Sequence, residues 1–149
     1  MNSESSLMLF SVREFVFAME IGSLLEVAQI SSEKLSPDEA GPFRYRFNFR
    51  GKDIPVLDLA ERSGIIPTPI EGLLQLLVVE MNSNPFALLI DKVLEVAKEE
   101  GVVYRFPAML RSERNEYIKA IYRLNDRISF FIEPGSLLKD EGIAELRTS

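Results

Sequence analysis

The chain has 149 residues, 46% of them hydrophobic and 27% charged, with a formal net charge of −6. That length fits one ordinary domain or two small lobes sharing a core, and the balance of residues is globular, not disordered. With no cysteine and no histidine, a disulfide framework, thiolate zinc sites and cysteine- or histidine-based nucleophilic catalysis are excluded within this chain. No apolar run reaches the ~18 residues of a membrane span, and no basic region precedes a signal-like apolar core at the N-terminus. A cytoplasmic protein without direct membrane insertion is the expectation. An acidic whole is also a poor non-specific binder of nucleic acid.

Taken in order, residues 1–6 are small and polar and read as a tail. Leu7 to Val12 and Phe15 to Ile21 are apolar β-formers around Arg13-Glu14 and read as a hairpin. Ser23 with Glu26 three residues later has capping-box spacing, which predicts a single helical turn at Leu24-Leu25-Glu26-Val27 before Val27 to Ile30 returns to strand. Ser31 to Pro42 is a loop by composition.

Phe43 to Phe49 then alternates without a break. Phe43, Tyr45, Phe47 and Phe49 fall on one side, and Arg44, Arg46, Asn48 and Arg50 on the other. Gly51-Lys52-Asp53 is the predicted turn, and Ile54 to Leu59 the returning strand. Asp58 to Gly64 predicts a short helix, with Asp58 as N-cap and Gly64 as its stop. The connector through Pro67 and Pro69 places a boundary between two lobes within residues 64–73.

Leu73 to Met81 and Phe86 to Ile90 read as strands around an Asn82-Ser83-Asn84-Pro85 turn, with Val93 to Ala97 as a further strand. Val102 to Phe106 is extended, and Ala108 to Asn115 is a charged loop. Glu116 to Leu124 and Ile128 to Glu133 flank a turn at Asn125-Asp126-Arg127. Ser136 to Leu138 begins a helical turn, and the tail carries an apolar seam at Leu137, Leu138, Ile143 and Leu146. In all, about nine or ten short strands with single helical turns define a mainly β protein of small barrels or a sandwich.

The chain lacks a phosphate-binding glycine loop, a dinucleotide fingerprint and an EF-hand acidic pattern. Glu99-Glu100 and Asp140-Glu141 are acidic runs in turns, best read as solvated surface. Asp91, between an apolar strand and Val93, reads as a turn-forming acid that bonds nearby backbone. An enzyme is disfavoured, and no cofactor is expected. Arginines interleaved with aromatics, Arg44 to Arg50, are also what a single-strand nucleic-acid platform uses. Such a platform needs exposed rings, whereas four rings on one face are more simply core. The alternative reading is a nucleic-acid-binding small β-barrel using the Arg44–Arg50 face. The favoured reading has no nucleic acid among the partners and puts those arginines on a solvent- or partner-facing surface. Only one of Leu24 and Leu25 can point fully inward, which leaves the other as an interaction candidate.

The chain resembles the CheW-like domain of bacterial chemotaxis coupling proteins. The resemblance is densest at Asn48-Phe49-Arg50-Gly51-Lys52-Asp53-Ile54-Pro55-Val56-Leu57-Asp58-Leu59, which is similar to the family's Asn-Leu-Arg-Gly-x-x-Ile-Pro-Val-x-Asp-Leu signature. It continues at Ile90-Asp91-Lys92-Val93-Leu94-Glu95-Val96, at Phe17 to Ile21 with Leu24-Leu25-Glu26-Val27, and downstream to Leu137-Leu138. It implies one domain over residues 8–140, built as two small five-stranded, SH3-like barrels, with flexible or peripheral tails at 1–6 and 141–149. It implies a non-enzymatic adaptor that couples a methyl-accepting chemoreceptor's cytoplasmic tip to the regulatory domain of a CheA-type histidine kinase. Residues matching Arg50, Leu24 and Glu26 belong to the family's partner-binding surface. Asn48, Gly51, Pro55, Asp58 and Asp91 match positions read as architectural. The chain departs from the pattern at Tyr45, where a glycine is usual, and at Arg46 and Phe47, which take aliphatic places. Tyr45 and Arg46 join the expected contact surface.

Overall fold

The structure is a computed structural model and describes residues 6–38, 43–98, 102–104, 108–110, 112 and 115–138. It is mostly β, in two six-stranded sheets. The first has the order β10-β11-β12-β2-β1-β9, from β1 (Ser6–Val12), β2 (Phe15–Glu20), β9 (Lys92–Lys98), β10 (Val102–Tyr104), β11 (Ile118–Leu124) and β12 (Arg127–Ile132). The second has the order β3-β7-β8-β6-β5-β4, from β3 (Leu24–Ser31), β4 (Leu35–Pro37), β5 (Tyr45–Phe49), β6 (Lys52–Asp58), β7 (Leu73–Met81) and β8 (Asn84–Ile90). The extra strands beyond the expected five per lobe include the three-residue β4 and β10, too short to leave a periodic signal.

Both faces of the middle strands are buried, so their apolar runs are nearly continuous and not alternating. In β1, Leu7 and Leu9 enter a core with Ala18, Tyr122 and Leu124, while Met8 and Phe10 enter a second core shared between the sheets. In β7, Leu77 and Val79 face that shared core with Phe86 and Leu88, and Leu76 and Val78 face a third core with Ile54, Val56 and Leu89. Each such side chain contributes roughly 1.5–3 kcal/mol on full burial. The shared core makes the two sheets one packing unit.

Several sequence expectations change. The helical turn expected at Leu24 to Val27 lies earlier, as a 3₁₀ turn at Ile21–Ser23, and it has no side-chain cap. Leu24–Ser31 is strand instead, because pairing with β7 satisfies its backbone. The stretch expected as a loop after Ser31 holds a 3₁₀ turn at Ser32–Lys34 and then β4, which pairs with β5. Residues 39–42 of that stretch, 105–107 and the tail with Ile143 and Leu146 lie outside the described residues. The connector at 64–73 does not divide one sheet from the other. It joins α1 (Leu59–Arg62) to β7 and so lies within the span of the second sheet, and the chain passes between sheets near Ile21–Ser23 and Asp91 instead. Proline and glycine mark a connector but carry no information about which sheet its ends join.

Asp58 caps α1 as expected and does more. Its Oδ1 accepts from the Ala60 N–H at 3.1 Å and the Thr68 hydroxyl at 3.0 Å, and its Oδ2 accepts from the Thr68 N–H at 2.9 Å. This buried carboxylate pins the connector to the end of β6. Asp58→Ala strands three donors and should lower unfolding free energy by about 2–3 kcal/mol, read as a drop in the urea midpoint. Asp91 does similar work across the molecule: it accepts from the Arg13 N–H at 2.5 Å and the Arg13 guanidinium at 2.6 Å. That holds the β1–β2 turn, where Arg13 has φ +58°. Pro55 faces Arg46 in the β5–β6 ladder, and the parallel pairing of β6 with β8 begins only at Val56. Counting from the closing Phe49–Lys52 pair, Arg46–Pro55 is a non-hydrogen-bonded position, so the missing N–H breaks no rung there.

Candidate partner-binding site

The β5–β6 turn is the two residues Arg50-Gly51, one position earlier than the sequence predicts, since Phe49 pairs with Lys52. Arg50 has φ +51° and Gly51 φ +82°, the left-handed pair that a two-residue hairpin requires. The Asn48 Oδ1 accepts from the Gly51 N–H at 3.1 Å and closes the turn from below. Asn48 and Gly51 therefore shape the loop that presents Arg50.

Across from this turn, β3 has no strand partner on its outer side among the described residues, because β3 and β4 end the second sheet. The sheet curls so that β3 and β5 face each other over a cleft of about 410 Å³ lined by Gln29, Ile30, Ser31, Lys34, Phe47 and Asn48. At one end the Arg50 guanidinium bridges the seam to Glu26, with Nη2 donating to Oε1 at 2.9 Å. The two residues are 24 apart in sequence. The register of β3 on β7 shifts between Leu24 and Glu26, so Leu25 is a bulge residue, a device that re-aims side chains at sheet edges. Leu25 is 42% and Val27 43% exposed. The result is an outward patch of two aliphatic side chains beside an exposed ion pair.

The other expected contacts are placed differently. Leu24 is half-buried and packs against the shared core, so the outward member of the Leu24–Leu25 pair is Leu25. Tyr45 is half-buried against the third core with Phe47. The four rings expected on one face divide: Phe43 enters the shared core, and Tyr45, Phe47 and Phe49 belong to the third. Arg46 is only 17% exposed and is held by Asp53 at 2.7 Å and Asp38 at 3.3 Å. Partial burial works against its charge, but the bonds to Asp53 and Asp38 outweigh that and raise its pKa above the ordinary value. Arg44 pairs with Glu61 at 2.8 Å. Every arginine of the expected cationic face thus carries a carboxylate, and the face is neither a free basic strip nor a platform of exposed rings. Sequence reasoning leaves Leu25 as one of two candidates and misses Val27 as its exposed neighbour. The capping-box spacing hides Val27 by placing it in a helical turn.

Among the described residues no group of acidic side chains is arranged to hold a metal ion, and no helix is long and apolar enough to cross a membrane. Residues 6–142 match the CheW-like domain, and the chain belongs to that family. Its members are scaffolds of chemotaxis-type signalling, not enzymes. No curated protein gives a significant match. Among solved structures, the scaffolding protein TtCheW from Thermoanaerobacter tengcongensis is similar, with a TM-score of 0.79 and 23% identity over 94% of this chain and 96% of that one. The likeness in fold covers nearly the full length of both.

Proposed function

We propose that this chain is a cytoplasmic adaptor that links a methyl-accepting chemoreceptor's cytoplasmic tip to the regulatory domain of a CheA-type histidine kinase. The observation that carries this reading is the meeting of Glu26 and Arg50 at 2.9 Å, beside exposed Leu25 and Val27. Two positions that the family resemblance assigns to partner binding thereby form one surface element from distant segments of the sequence. An aliphatic patch with a guanidinium at its rim suits a helical surface that brings apolar and acidic side chains together.

An adaptor needs a second contact face. The first sheet carries exposed Val96, Tyr104 and Ile128 on three different strands, and the kinase contact is proposed to lie on that sheet. The mechanism is simultaneous binding: the receptor engages the β3–β5 seam, the kinase engages elsewhere, and the shared core transmits their relative geometry. The test is a three-component binding experiment in which the chain holds a receptor-tip fragment and a kinase regulatory domain at once.

A further inference from the structure

The Arg50 position sets residue against conformation. A left-handed backbone disfavours residues with a Cβ. Among the described residues two more turns have paired positive φ, at Asn82-Ser83 and Asn125-Asp126, and both begin with asparagine, which enters this region readily. Arginine has no such ease, so its side chain supplies the reason for its presence. The guanidinium carbon lies 4.7 Å from the centroid of the Phe49 ring, while Nη2 bonds Glu26. The guanidinium carbon sits over the ring, and one terminal nitrogen takes the carboxylate. The side chain stays 69% exposed, and among the described residues no other partner for it is seen.

The geometry points to Phe49 as a positioning residue for the contact that Arg50 makes with its partner. The inference rests on the reading of Arg50 as that contact. Phe49 is 8% exposed and packs with Ile54, Val56 and Leu89 in the third core, so the ring is a fixed platform that cannot swing away without opening that core. A leucine here would fill the same core but offer no π face. A lysine at Arg50 would keep the charge but lose the planar, weakly hydrated cation that sits over the ring. A guanidinium already aimed through the seam loses less freedom when a partner carboxylate arrives than one on a free side chain.

The test uses the full chain and a soluble fragment carrying a chemoreceptor's cytoplasmic tip. Three variants are titrated: Phe49→Leu, Arg50→Lys, and a chain with trifluorophenylalanine in place of Phe49. Fluorination keeps the ring's shape and burial but withdraws the negative charge of its face. Each change should weaken binding roughly 2- to 5-fold. Phe49→Leu combined with Arg50→Lys should be no weaker than the weaker single variant, because both remove one interaction. The Arg50 Nε–H resonance, displaced by the ring current, should return toward its free position in Phe49→Leu. Loss of binding in Arg50→Ala together with wild-type binding by the fluorinated chain and Phe49→Leu overturns the inference alone. Wild-type binding by Arg50→Ala overturns the reading of Arg50 as a contact, and this inference with it.

Discussion

Arg50→Ala should weaken binding to a receptor-tip fragment by about 10- to 100-fold while the protein stays folded. The asymmetry follows from where Arg50 sits. Its ion pair with Glu26 is exposed, at 69% and 40% of the two side chains, and such a pair contributes only ~0–1 kcal/mol to folding. The turn itself is closed by Asn48 and Gly51, not by the guanidinium. At an interface the same guanidinium, shielded from water, offers its unused N–H groups to a partner carboxylate, where charge-assisted bonds are stronger. Isothermal titration gives the affinity, and a matching urea transition shows that the fold is intact. A variant that binds as tightly as wild type removes Arg50 from the contact surface.

Phe86→Ala should act in the opposite way, destabilising the fold by about 3–5 kcal/mol. Phe86 is fully buried in β8 and lies in the cluster that joins the sheets, with Phe10 and Met19 on one side and Leu77 and Val79 on the other. Removing its ring opens a void that residues from two sheets line, and a β-sheet wall cannot collapse far to fill it. A chain with one shared core should lose structure in a single transition, with signals from both sheets falling together. Loss from one sheet first would show that the shared core is weaker than the cores within each sheet.

How well the sequence predicts these features differs from element to element. The β-rich class, the Asp58 cap of α1 and the asparagine-led turns are legible, because each has a local cause in residue type and spacing. The turn at Arg50-Gly51 reads one residue late in the sequence, since arginine carries no preference for positive φ and only the pairing of Phe49 with Lys52 reveals the register. Leu24 to Val27 reads as helix because Ser23 and Glu26 have capping spacing; the ladder with β7 outweighs that local option. The assignment of strands to sheets is not legible. β9 to β12 return to the sheet of β1 and β2 after six strands of the other sheet, and no local residue pattern marks that return. At the site, Arg50 and Glu26 come from the family resemblance, whereas the roles of Phe49, Leu25 and the Asp38 and Asp53 partners of Arg46 depend on three-dimensional proximity. Arg46, where the chain leaves the family pattern, is accommodated by those two aspartates within its own sheet.

As an adaptor, this small protein should hold two partners at the same time. Mixing the chain with a receptor-tip fragment and a CheA-type regulatory domain, and measuring the mass of the eluting species by light scattering, tests it directly. The expected result is a three-component complex that requires this chain and is lost or weakened with Arg50→Ala on the receptor side only. Mutually exclusive binding of the two partners, or binding of neither, would contradict it.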